Sequence, residues 1–219
     1  VYPNLPQYPE GQEREVSVLQ TGPNHLYQYN WSAATTNFVK PAKKDLVIYE
    51  VLVRDFDANR TYQDLINRID YFKNLNINAI QLMPVMEFEG NESWGYNTVC
   101  HQNGIAVILD IALNHVYGRS PLERMWMKDT NNDGWGDGVT TENPYCNVNA
   151  MHSYNVGTDL NHYNEPNNLT GNYVKQTIEH WMNNFKIVGF RWDLTKGFTQ
   201  NCPYTGSGSV QDACTNNYQ

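Results

Sequence analysis

Arg191 and Asp193 set a cation and a carboxylate two residues apart at the end of an apolar run, 185–190. Such a run reads as a strand, and on a strand positions i and i+2 point to the same face. The two side chains are therefore expected side by side, with Phe190 and Trp192 turned the other way. A neighbouring guanidinium favours the ionised carboxylate. That suits a group that attacks an electrophile or stabilises a developing cation, rather than one that donates a proton. A second constellation lies upstream, in Asp110-Ile111-Ala112-Leu113-Asn114-His115. Asp110 interrupts an almost wholly apolar strand, 105–113, where a carboxylate needs partners. Asn114 and His115 follow where that strand gives out. Each residue alone reads most simply as a hydrogen-bonded loop residue. Two such motifs on consecutive strands of one sheet point instead to a shared site.

The elements that must position these groups alternate along the chain. Residues 45–56 read as an apolar, β-branched strand. Thr61 is the N-cap of a helix running to residue 75, with Leu65, Ile69 and Phe72 on one face. A second strand is expected over 79–85 and a third over 105–113, the latter apolar throughout, as in a parallel sheet covered on both faces. A long Asn-, Gly- and Asp-rich excursion fills 117–170. A helix over 171–184 leads to the fourth strand, 185–193. This order predicts parallel βαβ units. One crossover is short. Residues 100–104 read as the last turn and glycine cap of a helix whose body is absent. A parallel crossover needs about 10–12 residues, so an internal deletion is expected near residues 98–99. Residues 1–44, with prolines at 3, 6, 9, 23 and 41 and one strand at 15–19, read as a linker or the tail of an upstream domain.

Composition narrows the partners. The formal charge of −8 and the lack of a basic stripe argue against nucleic acid. No stretch approaches the roughly 18 apolar residues of a membrane span. Only 17% of residues are charged and 13% are aromatic, with Asn, Thr, Gln and Tyr making up the polar surface. That mixture suits neutral polar ligands such as sugars, met by stacking and hydrogen bonding. Cys202 and Cys214 flank a Gly/Ser-rich loop, and their pairing would imply an oxidising compartment. Cys100 and Cys146 read as separate buried thiols. The loop Asp129-Thr130-Asn131-Asn132-Asp133-Gly134 fits the front half of an EF-hand, but Thr140 stands where the bidentate Glu belongs, so a solvated turn is the simpler reading.

The two charged motifs resemble the first and second signature regions of the α-amylase family of glycoside hydrolases: 110–115, and Gly189-Phe190-Arg191-Trp192-Asp193-Leu194-Thr195-Lys196. The second strand with its exit through Pro84, the stretch Ser93-Trp94-Gly95-Tyr96-Asn97, and Asp159-Leu160 are similar to that family too. The resemblance covers about residues 45–200. It implies an α/β fold, a (β/α)8 barrel of which about four of eight strands are present, with 117–170 as a domain B-like excursion after the third strand. Residues 45–116 then hold strands 1–3, with helix 2 largely missing. Residues 171–200 hold helix 3 and strand 4, and 201–219 are a polar loop. Residues 1–44 resemble the connector after an N-terminal β-sandwich.

The implied reaction is retaining hydrolysis of α-1,4-glucosidic bonds in starch or glycogen. By resemblance Asp193 is the nucleophile and Arg191 holds it ionised and oriented. Asp110 and His115 surround the sugar before the scissile bond, and Tyr96 stacks on it beside Trp94. Lys196 holds leaving-side glucose. Asn114 and Asp159 match calcium ligands, although Gly197 stands where many calcium-binding members have a His that ligates through its carbonyl. The family's proton donor follows its fifth strand and a second Asp its seventh. No Glu follows Glu179 here, and Asp212 is the only Asp after Asp193. An incomplete chain of a secreted or periplasmic hydrolase is the expectation. The alternatives are a catalytically inactive α-glucan binder, or a branching, debranching or transglycosylating relative.

Overall fold

The computed structural model describes residues 31–84, 100–118, 120–132, 137–151, 157–162 and 169–198, save the side chains of Gln102 and Lys196. After a short helix, α1 (Ala33–Thr36), capped by the Ser32 side chain, comes β1 (Ile48–Val51). The strand is shorter than the apolar run 45–56 suggests. At Val53 the backbone turns into a single helical turn, α2 (Val53–Phe56). The expected helix over 61–75 is present as two pieces, α3 (Tyr62–Asn67) and α4 (Ile69–Asn74). Its N-cap is as read: Thr61 and Asp64 form a reciprocal capping box, which satisfies two of the orphan donors at the helix start. The break falls at Arg68, whose φ of −101° and ψ of 15° leave the helix. The Arg68 side chain is held from outside by Asp57, Nε to Oδ2 at 2.8 Å.

Next come β2 (Ala79–Leu82), β3 (Ala106–Ile111), β4 (His115–Val116), α5 (Pro121–Arg124), β5 (Thr158–Asp159), α6 (Leu169–Phe185) and β6 (Gly189–Trp192). Before β3, a 3-10 turn over Cys100–Asn103 ends at Gly104, φ +73°. The Ile105 amide donates to the Cys100 carbonyl and the Gly104 amide to that of His101. These are the two bonds of a Schellman cap, and its left-handed position is where glycine costs least. The proposed deletion point at 98–99 lies outside the described residues, as do the strand at 15–19, the Cys202–Cys214 pair and Asp133-Gly134.

Strands β1, β2, β3 and β6 form one four-stranded sheet in that order, and every pairing is parallel. Its two faces differ in character. Val51, Leu82, Leu109 and Phe190 share one register level across all four strands. They face the helices, packing with Leu65, Phe72, Val107, Ile187, Trp181 and Phe185. Burying each of the larger side chains here contributes roughly 1.5–3 kcal/mol, and Phe72 is wholly buried. The opposite face is smaller and more polar. Its apolar part is Ala79, Ala106 and Ile108, covered by Phe38 and Leu46. Above these it carries Glu50, Gln81, Asp110, Arg191 and Asp193 by strand alternation.

The excursion after β3 has its own small core of Val139, Cys146 and Leu160 with Val116, Leu122 and Tyr145. It is joined to the main sheet by the antiparallel β4–β5 pair. Cys100 and Cys146 are separate buried thiols, as expected. No helix among the described residues is long and apolar enough to cross a membrane.

Candidate functional site

Strand register brings the two sequence motifs together. Asp110 on β3 pairs directly with Arg191 on β6. Both Asp110 oxygens lie 3.2 Å from Arg191 Nη1. The same nitrogen donates to Asp193 Oδ1 at 2.6 Å. The strand geometry extends to Asp193 because its amide still donates to the Ile111 carbonyl at 2.9 Å. One guanidinium therefore bridges a buried carboxylate, with 4% of its side chain exposed, and an accessible one with 37% exposed. The inner carboxylate answers the question of what tolerates a charge within an apolar strand.

The electrostatics follow from this burial gradient. Burial pushes the Asp110 carboxyl above its ordinary value, against the pull of Arg191, and Asp193 and Glu50 push the same way. For Arg191 burial works against the charge, but Asp110 and Asp193 outweigh it and raise its pKa. The arrangement locks the guanidinium between two acceptors and leaves the outer carboxylate oriented and reachable. That placement suits a nucleophile or a stabiliser of positive charge.

His115 opens β4 at the exit of β3 and is half-buried. Its Nδ1 lies 2.8 Å from Asn114 Oδ1, which sets the plane of the ring. Burial lowers the imidazole pKa, partly offset by Asp193 and Asp159, so the neutral ring is favoured at neutral pH. Asp159 sits opposite His115 in the β4–β5 pair and is buried. Its Oδ2 accepts from the Asn147 side chain at 2.9 Å and the Met151 amide at 2.8 Å. Lys196 lies in the 3-10 turn Thr195–Phe198 that follows Asp193. Tyr96 and Trp94 lie outside the described residues.

Asn114 and Asp159 bear on the expected calcium. Asn114 is fully buried, and its Nδ2 finds no hydrogen-bond partner among the described residues. A half-turn of the amide would let Nδ2 donate to His115 Nδ1 and present the oxygen where the orphaned nitrogen now points. Above that point lies Gly197, where a Cβ would meet Asn114. An oxygen-seeking cation fits this donor chemistry. Among the described residues no group of three or more His, Cys, Asp or Glu is gathered, so most of such an ion's shell would be amide, carbonyl or water oxygen.

One feature escapes the sequence reading. Gln81 Nε2 donates to Glu50 Oε1 at 2.8 Å, one register level below Asp110 on the same face. The signal was present, since Glu50 interrupts an apolar strand as Asp110 does. His162 Nε2 lies 2.8 Å from the Leu113 carbonyl, and the His162 ring sits 4.5 Å from Phe198. It ties the turn after Asp193 to the exit of β3.

No family model matches the chain. It is 27% identical over 188 residues to malto-oligosyltrehalose trehalohydrolase of Saccharolobus solfataricus, covering 76% of this chain and 30% of that protein. It is 28% identical over 217 residues to alpha-amylase 3 of Dictyoglomus thermophilum, covering 83% and 41%. Chloroplastic isoamylase 1 of Oryza sativa subsp. japonica is 24% identical over 211 residues, covering 73% and 25%. Among solved structures, pullulanase from Anoxybacillus sp. LM18-11 matches with a TM-score of 0.51 at 25% identity, over 75% of this chain and 31% of that one. Trehalose-6-phosphate hydrolase from Bacillus licheniformis matches with a TM-score of 0.50 at 21% identity, over 72% and 36%. These solved relatives are barrel enzymes, and the four-stranded parallel sheet is compatible with part of such a barrel. The chain's homologues are named malto-oligosyltrehalose trehalohydrolase, isoamylase, alpha-amylase and pullulanase, and it spans about a third of the length of the curated relatives it matches.

Proposed function

We propose that the whole protein is a retaining hydrolase of α-1,4-glucosidic bonds in starch- or glycogen-type glucans, and that this chain carries the nucleophile side of its site. The observation that carries the reading is the single Arg191 nitrogen bridging Asp110 and Asp193 at the ends of adjacent parallel strands. In α/β barrels chemistry gathers at the carboxyl ends of strands. In this reading the sheet is four strands of a (β/α)8 barrel, and the excursion after β3 is its domain B.

Asp193 attacks the anomeric carbon and forms the glycosyl-enzyme, as retaining hydrolysis requires. Arg191 keeps it ionised and aimed. His115 donates to hydroxyls of the sugar before the scissile bond, with Asp110 beside it, while Tyr96 and Trp94 supply stacking and Lys196 meets leaving-side glucose. The protonated acid that the mechanism also requires is not assigned to any residue of this chain. A calcium ion, held in part by Asn114 and the Asp159 carboxylate, would brace the loops behind His115. An oxidising, extracytoplasmic compartment suits the Cys202–Cys214 pair.

The test uses the full-length protein. Asp193→Asn is expected to abolish release of reducing ends from soluble starch while glucan binding persists. Wild-type-like turnover in that variant would remove Asp193 from the role. Product analysis on amylose and pullulan separates α-1,4 hydrolysis from the debranching reading that the isoamylase match favours. Binding without turnover in the wild type would leave the inactive α-glucan binder.

A further inference from the structure

His101 lies in the 3-10 turn before β3 with 5% of its surface exposed, and neither ring nitrogen is hydrogen-bonded to a described residue. Its ring stacks on Phe38, centroids 4.7 Å apart and planes 20° from parallel. Phe38 belongs to a strap, residues 31–47, laid over the foot of the polar sheet face. There Phe38 and Leu46 cover Ala79, Ala106 and Ile108. At one end of the strap Trp31 Nε1 donates to the Asn184 carbonyl of α6 at 2.9 Å. At the other end the Asn78 side chain is a clasp. Its Oδ1 accepts from the Val47 amide at 2.7 Å, and its Nδ2 donates to the Asp45 carbonyl at 2.8 Å.

The two sides of the stack differ in firmness. The turn that carries His101 is tied by its Schellman bonds, and its neighbours Cys100 and Ile105 lie in the helix-side core. The strap has a helix of only four residues, and its bonds to Asn184 and Asn78 are open to solvent. Midway along it Val39 is 87% exposed. Segments with few buried contacts and solvated hydrogen bonds open before the core does.

Protonation would give the imidazole two N–H donors and a charge, with no acceptor at hand. Among the described residues the surroundings hold no counter-charge for it. α1 carries no ionisable group, and Lys40, Lys43, Lys44 and Asp45 further along the strap are exposed. α4, which also packs on the turn, carries Tyr71, which is exposed, and Asp70 and Lys73, which meet each other at 3.6 Å on the surface. Asp110 of β3 is engaged by Arg191, and Cys100 beside His101 is a buried thiol. The face of Phe38 attracts a cation, but burial outweighs it and holds the imidazole below its ordinary value.

We propose that His101 is a pH-sensitive latch: the neutral ring holds the strap 31–47 on the foot of the sheet through Phe38, and the protonated ring releases it while the sheet stays folded. The latch stands apart from the hydrolase reading and does not depend on it. Its sign is fixed. The docked strap excludes a proton that the released strap admits, so docking weakens on acidification. With one proton taken up, the docking constant falls about tenfold per pH unit below about pH 6.5, the ordinary imidazole value, and levels off below the lowered docked value.

The experiment is backbone hydrogen exchange, read by mass spectrometry on the full-length protein between about pH 4.5 and 8 and corrected for intrinsic exchange. The amides of Thr35, Thr36, Asn37 and Asp45, which donate within the strap, report docking, and those of β3 report the sheet. Wild type is expected to lose strap protection by about tenfold per pH unit below about pH 6.5, with β3 unchanged. His101→Phe keeps a stacking ring that cannot titrate, and its strap protection should be flat. His101→Gln is a second non-titrating variant, with a strap docked more weakly at every pH but without the slope. Phe38→Ala should release the strap already at neutral pH. Flat protection in wild type overturns the proposal. So does the same slope in His101→Phe or His101→Gln, a strap still protected in Phe38→Ala, or loss of strap and β3 protection together, which would mark ordinary acid unfolding.

Discussion

Removing Arg191 should expose how strongly Asp110 depends on it. Asp110 lies at 3.2 Å from the guanidinium with 4% of its side chain exposed. At an effective dielectric of about 20 that separation corresponds to about 5 kcal/mol of attraction. Arg191 is itself 47% exposed, so solvent screening brings the expected coupling to about 1–3 kcal/mol. In Arg191→Met the carboxylate stays buried without its cation, and the Asp110 pKa, already raised by burial, rises further. The pH dependence has a definite sign. A carboxylate whose folded pKa is raised disfavours the fold while ionised, and acidification through that pKa relieves it. The deficit of Arg191→Met against wild type should therefore be full at neutral pH and shrink as pH falls through the Asp110 value. Asp110→Asn removes the charge. It should stabilise the Arg191→Met background more than the wild-type background, by that same 1–3 kcal/mol. Urea or thermal unfolding of the four variants between pH 4 and 8 measures the cycle. Effects additive to within about 0.5 kcal/mol, or a deficit that widens on acidification, would refute the buried-pair account.

The remaining expectations concern groups outside this pair. His101 is buried with neither ring nitrogen hydrogen-bonded to a described residue, stacks on Phe38 at 4.7 Å, and has its pKa lowered by burial. Its contribution to stability is present above the unfolded value near 6.5 and is lost as pH falls through its lowered folded value. His101→Phe should flatten that part of the unfolding midpoint's pH profile. Phe72→Ala empties the centre of the helix-side core, where Phe72 meets Phe56 and Tyr49. It should cost about 3–5 kcal/mol, read by denaturant unfolding. Burial pushes the Cys146 thiol up to about 12, with Glu123 and Asp159 adding to it. It should resist alkylation at pH 8 in the native protein and react once unfolded, as mass spectrometry of trapped peptides would show. Chelation should lower the unfolding midpoint of wild type, and Asp159→Asn should abolish that sensitivity.

The parts of the fold that the sequence made legible are those whose rules are local. The two-residue period of a strand placed Arg191 beside Asp193, and the Thr61 cap and the Gly104 stop could be read from single residues. Lengths were less legible, because apolarity persists beyond strand geometry. Val53 and Phe56 belong to the core through α2 and not through β1. The break at Arg68 was hidden for another reason: its outside partner, Asp57, precedes the helix and leaves no mark in the helix's own pattern.

The site divides along the same line. That Asp110 needs a partner was evident from burial in an apolar strand; which cation it meets was not, because the answer is set by strand register. Register in a parallel sheet depends on crossovers, which no local pattern within β3 or β6 reveals. The direct pairing of Asp110 with Arg191 is therefore informative beyond the contact itself. A slip of one residue between β3 and β6 would turn Arg191 and Asp193 to the helix-facing side. It would bury them beside Leu109, turn Phe190 to the polar face and leave Asp110 without its cation. The observed register avoids both costs at once. A charge network that penalises every neighbouring register pins the strand pairing as well as the chemistry, and this makes the coupling between Asp110 and Arg191 the most discriminating measurement on this protein.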